Sequence, residues 1–183
     1  MDESVRAGMA DIRSDDRNVQ GRAFHSLMEA TNGPVDWAYE VWDDLLEMLR
    51  HEDNHQRAIA AQLLCNLAMS DPEARMLDDF GSLLAVTRDE RFVTARHCLL
   101  ALWKIGTAGL PQRRRLVDGL ASRFEDCAAE KNGTLIRFDI IQGLETLYAR
   151  VKDETIREKA LELIATEADM KYRKKYARVW KAR

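Results

Sequence analysis

The sequence predicts an all-α protein, a solenoid of about five antiparallel helix pairs. Three observations carry that prediction. Turn residues are scarce, with 3 prolines and 9 glycines among 183 residues, too few for the many tight turns of an all-β chain. The dominant residues (alanine, leucine, glutamate and arginine) are good helix formers. One helical pattern also recurs. Arg57, Ala60, Leu64 and Leu67 stand at offsets 0, 3, 7 and 10, one face of a helix. Gln20, Ala23, Leu27 and Ala30 repeat it upstream. Ala95, Cys98, Leu102 and Ile105, then Arg137, Ile140, Leu144 and Leu147, repeat it downstream. The copies start 37, 38 and 42 residues apart, a period suited to stacked helix pairs.

The elements follow in order. A first helix over about residues 2–14 carries Val5, Met9 and Ile12, and the Gln20 copy is its partner. VDWAYEVWDDLLEMLR, 35–50, aligns Trp37, Val41, Leu45 and Leu49 on one face, or Leu46 in place of Leu49. It precedes the Arg57 copy. The stretch 72–89 opens on Pro72 and precedes the Ala95 copy. The stretch 111–130 opens on Pro111, places Leu116, Leu120 and Phe124 at helical spacing, and precedes the Arg137 copy. Proline suits the first turn of a helix because the amide it lacks has no partner there. Turns are expected near 14–17, 32–34, 50–54, 70–72, 88–91, 107–111, 130–134, 151–154 and 168–170. One domain, 1–183, accounts for the whole pattern.

The second helices resemble the HEAT/armadillo repeat family. The resemblance rests on an aliphatic residue followed by arginine, then small residues and leucines. It is seen at Ile136-Arg137 with Ile140 and Leu144, and at Ile156-Arg157 with Ala160 and Ile164. A turn aspartate precedes Arg57 and Arg157, as Asp53 and Asp153. Gln20 and Ala95 depart from the arginine, and Arg157 follows Arg137 by only 20 residues. The family resemblance implies a right-handed superhelix whose second helices line a concave binding face.

Composition bounds the setting. Apolar residues are 46% and charged residues 32% of the chain, which fits a soluble globular protein. No apolar run approaches the ~20 residues that span a bilayer, and MDESVRAG is no signal peptide. Cys65, Cys98 and Cys127 are widely spaced inside apolar patterns, as buried thiols of a reducing compartment would be. The expected location is the cytoplasm. The net charge of −3 is uneven: residues 1–50 sum to −6, 51–110 to −2 and 111–183 to +5.

His51-Glu52-Asp53-Asn54-His55 spells HExxH, a zinc-site pattern in which both histidines must share one helix. Asp53 and Asn54 disfavour a helix through their own positions, since their side chains compete for the backbone. The pentapeptide falls at a predicted turn, where Asp53 or Asn54 is suited to cap the next helix. No metal and no cofactor are expected.

Aligned second helices place polar residues in rows away from the anchor leucines. The rows are Arg22, Ile59, His97 and Asp139; His25, Gln62, Leu100 and Gln142; and Glu29, Asn66, Lys104 and Thr146. The polar members are the candidate binding residues of a concave face. A second candidate is the tail KYRKKYARVWKAR, with Lys171, Arg173, Lys174, Lys175, Arg178 and Lys181 and no acidic residue. Tyr172, Tyr176 and Trp180 share one face of it, expected to pack on Leu161 and Ile164. The run Arg113-Arg114-Arg115 sits at a helix start, where the helix dipole disfavours cations.

The expected function is a non-catalytic interaction scaffold that takes a protein or peptide on the concave face. The alternative is nucleic-acid binding through the basic C-terminal third. Its enzymatic form is suggested by similarity to the HEAT-like glycosylases that excise alkylated bases from DNA, onto which Trp103, Lys104, Arg137 and Asp139 can be laid. Trp103 is expected in the core beside Leu102. Phosphate-loop and nucleophile-elbow motifs are absent. A convergence of Arg113–Arg115, Arg137 and the tail on one face would favour nucleic acid.

Overall fold

A computed structural model describes residues 1–181, with side chains to Trp180. Among these residues the chain is all-α, without a strand. The helices are α1 (Glu3–Asp11), α2 (Arg17–Ala30), α3 (Ala38–Met48), α4 (Asn54–Leu67), α5 (Met76–Val86), α6 (Phe92–Ala101), α7 (Ile105–Ala108), α8 (Leu110–Asp126), α9 (Gly133–Val151), α10 (Glu154–Thr166) and α11 (Met170–Lys181). Contacts gather into two compact units, Met1–Cys98 and Leu99–Arg183. In the first, α1 packs on α2, α3 on α4, and α4 on both α2 and α5. In the second, α9 packs on α8, α10 and α11.

Every expected turn coincides with a helix break, and aspartates mark several of them. Asp2, Asp16, Asp53 and Asp153 cap α1, α2, α4 and α10 by accepting backbone N–H groups of the first turn. Asp169 does the same for α11, accepting from the Lys171 and Tyr172 amides. A helix start has free N–H donors, and a short carboxylate satisfies them at a gain of about 1 kcal/mol.

Two elements differ from expectation. Pro72 does not open a helix. The Asp71 carboxylate accepts from the Arg75 and Met76 amides and from the Tyr39 hydroxyl, which holds 71–75 as a loop with Ala74 at φ 57°. The single helix expected around Ala95–Ile105 is interrupted: α6 ends at Ala101, a 3-10 turn covers Leu102–Lys104, and α7 follows.

The anchor residues are core. Ala60, Leu64, Leu67, Cys98, Leu102, Ile105, Ile140, Leu144 and Leu147 are all buried. Ala30 is exposed, because α2 ends there and the buried Thr31 takes its place, its hydroxyl donating to the Leu27 carbonyl. The three cysteines are buried thiols. Burial pushes the Cys98 thiol well up, so it stays protonated near neutrality.

Within each unit, arginines link elements 32 to 40 residues apart. In the first unit Arg17 meets Asp53 at 2.6 Å, and Arg57 grips both oxygens of Asp89 at 2.6 and 2.9 Å. In the second, Arg113 meets Asp153 at 3.1 Å. Burial raises the Asp53 carboxyl, but the bonds from Arg17 and the His55 amide outweigh it and hold the group down at about 2. A depressed folded pKa contributes stability above the unfolded value of 3.8, lost as pH falls toward about 2. Asp53→Ala is therefore expected to cost about 1–2 kcal/mol at neutral pH. Asp53→Asn keeps a capping oxygen, costs less, and flattens the acid limb of urea midpoints measured from about pH 5 to pH 2. An Asn variant with an unchanged acid limb would remove Asp53 from that account.

Candidate functional site

The HExxH stretch is a helix start. α4 begins at Asn54, after His51, and the His51 Nδ1 accepts from the Asp53 amide at 3.0 Å. Only His55 of the two histidines is helical, so they do not share the helix a zinc pair needs. Among the described residues, no group of three His, Cys, Asp or Glu side chains is placed to hold a metal ion, and no helix is long and apolar enough to cross a membrane.

In the first unit, the expected face divides by burial. Arg22, His25 and Glu29 are exposed along α2, and His97 is exposed on α6. Among the described residues Arg22, Glu29 and His97 hold no internal polar partner, while the His25 ring sits 2.6 Å from the Gly21 carbonyl. Gln62 is half-buried and donates to the Ala58 carbonyl. Asn66 is not a surface residue. It is buried against α2, where its amide donates to the Met28 carbonyl and the Thr31 hydroxyl at 3.3 and 3.0 Å. The neighbouring helix covers that position and uses it as a cross-link. A groove between α3 and α5 is lined by Asp43, Glu47, Arg50, His51 and Asp79. Two of its carboxylates serve the fold, Asp43 with Arg75 and Asp79 with the Trp42 indole N–H.

In the second unit, α9 carries an exposed ridge at four-residue spacing: Phe138, Gln142, Thr146 and Arg150, each exposed or half-buried. Thr146 donates to the Gln142 carbonyl. Asp139 is fully buried, so it is removed from the face assigned to it. Trp103 is not in the core. It is half-buried with the Arg150 guanidinium 5.5 Å and the Lys104 ammonium 6.0 Å from its ring.

The tail forms α11, and its aromatic stripe seats it. Tyr176 is fully buried and donates to the Thr134 carbonyl at 2.8 Å. Its ring meets Phe124 edge-on, 6.2 Å between centroids, and lies 6.3 Å from Phe138. Burial, then the charge of Glu167, pushes its hydroxyl pKa up. Trp180 lies against Tyr148 at 5.4 Å. The stripe therefore uses α8 and α9 rather than Leu161, which is exposed. Arg173 is half-buried and donates to the Ala165 carbonyl at the end of α10, so it belongs to the packing. Lys171, Lys174, Lys175 and Arg178 remain exposed, and the Lys181 side chain lies outside the described residues.

Of the arginines named for convergence, Arg114 and Arg115 are exposed, and Arg113 and Arg137 are spent on the fold. Arg113 is held by the Gly106 carbonyl and Asp153. Arg137 is held by the Phe124 carbonyl and the buried Glu167. Lys104, Arg150 and Lys175 also lie near aromatic rings, the last 4.4 Å from the Phe138 ring. Single-residue charge counts do not separate the two groups. Arg113 and Arg137 are consumed by the fold through carboxylates 40 and 30 residues away.

No family profile and no curated protein matches the chain. Solved structures do. An engineered protein of the Northeast Structural Genomics Consortium aligns with TM-score 0.59 and 19% identity, over 98% of this chain and 78% of that one. A second engineered protein gives TM-score 0.57 and 21% identity, over 98% and 80%. A third gives 0.51 and 18%, over 90% of this chain and 47% of that one. These likenesses are likenesses of an all-helical fold.

Proposed function

We propose that the chain is a HEAT-type helical-repeat scaffold, built of stacked helix pairs, that binds a protein or peptide without catalysis. One observation carries this reading. Arg17 and Arg57 are spent on links to Asp53 and Asp89, yet Arg22, Glu29 and His97 stand exposed with no internal polar partner among the described residues. Polar side chains left out of the internal network are free to meet a partner, and repeat folds present such rows for binding. Fold alone does not assign function, so the reading stands on these side chains.

The test is a combined Arg22→Ala, Glu29→Ala and His97→Ala variant. All three sites are exposed, so the thermal midpoint is expected to stay close to wild type. Affinity capture from nuclease-treated lysate should recover a discrete partner with wild type and lose it with the variant. Equal recovery by both proteins would overturn the assignment of this face.

A further inference from the structure

The second unit carries a surface of a different kind. On α11, Lys171, Lys174, Lys175 and Arg178 stand at offsets 0, 3, 4 and 7, all exposed. Like charges at these spacings repel, by about 0.2–0.5 kcal/mol per pair. The preceding helix avoids this: α10 pairs Arg157 with Glu154 and Lys159 with Glu162, both three residues apart. No carboxylate pairs with Lys171, Lys174, Lys175 or Arg178 among the described residues. α8 and α10 mix cations with carboxylates, and Glu162, Asp118 and Glu125 all act on Lys159. α11 has no carboxylate of its own and carries a local electrostatic penalty that its own packing does not relieve.

The basic helix adjoins half-buried aromatics. The Lys175 ammonium is 4.4 Å from the Phe138 ring and 6.0 Å from Tyr172, which Lys171 also approaches at 6.0 Å. Along the α9 ridge, Gln142 and Thr146 lead from Phe138 to Arg150, whose guanidinium faces Trp103. A depression of about 460 Å³ on α11 is bordered by Met170, Lys171, Lys174, Lys175 and Arg178. Lysine is depleted from protein–protein interfaces, whereas it suits phosphate as a point charge. Cations interleaved with aromatic rings fit a strand with unpaired bases, since a duplex keeps its base faces stacked inside.

We infer that the α11 face and the α9 ridge bind the phosphate backbone of single-stranded nucleic acid, without reading its sequence. None of these residues is among Arg22, Glu29 and His97, on which the proposed protein binding rests.

The probe is a fluorescein-labelled oligothymidylate of about 20 nucleotides, titrated with the full chain and followed by anisotropy. Four phosphate contacts on a single strand give a salt slope near −2.8, so affinity should fall about 50-fold between about 50 and 200 mM NaCl. Lys174→Glu with Arg178→Glu should abolish most binding at the lower salt without moving the thermal midpoint. Arg150→Glu, on another helix, should weaken binding by about tenfold or less, which keeps the test decisive if the double variant fails to fold. Arg157→Glu with Lys159→Glu, on α10, should leave it unchanged. The inference is overturned by no binding at low salt, by salt-insensitive binding, by equal binding of a duplex of the same length, or by equal displacement with polyglutamate. The last outcome would make the face an acidic-protein site.

Discussion

Trp42→Ala is expected to cost about 3–5 kcal/mol, close to a third or more of the stability of a typical domain. Trp42 is fully buried on α3, and three contacts fix it. Its indole N–H donates to Asp79 on α5 at 2.9 Å. Tyr39 meets it edge-on at 5.8 Å and 82°. The Arg75 guanidinium lies 5.7 Å from its ring and is itself bound to Asp43. Removal of the ring leaves a cavity that helices on both sides cannot fill by side-chain rotation alone. Trp42→Phe separates the contributions. It keeps most of the packed ring and loses the hydrogen bond, and the half-buried Asp79 can turn to water, so a cost of about 1–2 kcal/mol is expected. Urea unfolding followed by circular dichroism measures both. A Phe variant as unstable as the Ala variant would place the stabilisation in the hydrogen bond rather than the packing.

Trp42 also marks where the sequence was hard to read. The stripe Trp37, Val41, Leu45 and Leu49 is buried as its spacing implies. A helix packed on two sides buries a wider face, however, and Ala38, Trp42 and Met48 complete it. Burial period locates a face but not its width. The arginine–carboxylate links escaped for a related reason. Periodicity reports neighbours within a helix, whereas Arg57 and Asp89 meet across 32 residues. The recurring turn aspartates were legible as caps, and the second lone-pair set of Asp53, which receives Arg17, was not. Of the proposed face, Asn66 and Asp139 failed because the rows assume that every position opposite the anchors meets water. Met28 and Thr31 of α2 cover Asn66. Trp103 failed because a residue next to an anchor in sequence stands about 100° around the helix from it, so the burial of Leu102 does not carry over to its neighbour. The basic helix was legible from composition, but only its neighbours show which of its cations remain exposed.

Arg137→Ala is the second large effect. Arg137 stands on α9, and its guanidinium does three things at once. It donates to the Phe124 carbonyl at 2.9 Å, pairs with Glu167 at 3.0 Å, and lies 4.6 Å from the Phe124 ring. Both partners of the ion pair are largely buried, with side-chain exposures of 14% and 5%. Loss of one member leaves the other as an uncompensated buried charge, and such losses cost about 3–5 kcal/mol. Arg137→Lys keeps a charge but cannot serve the carbonyl and the carboxylate together through one planar fork, so it should fall between wild type and alanine. The pH dependence identifies the cause. In the wild type, burial raises the Glu167 carboxyl, and the Asp169 amide together with Arg137 outweighs it, so the group sits below its ordinary value of 4.5. That contribution to stability is present above 4.5 and fades as pH falls through the folded value. Without Arg137, burial dominates and the folded value moves up. The native variant then binds its proton more readily than the unfolded chain, and its deficit shrinks as pH falls through that raised value. Unfolding free energies at about pH 7 and pH 5 should therefore show the gap between wild type and Arg137→Ala narrowing with acid. Glu167→Gln in the alanine background should recover part of the loss at neutral pH and remove the narrowing. A gap that is the same at both pH values would locate the cost in the lost Phe124 contacts, with Glu167 a bystander.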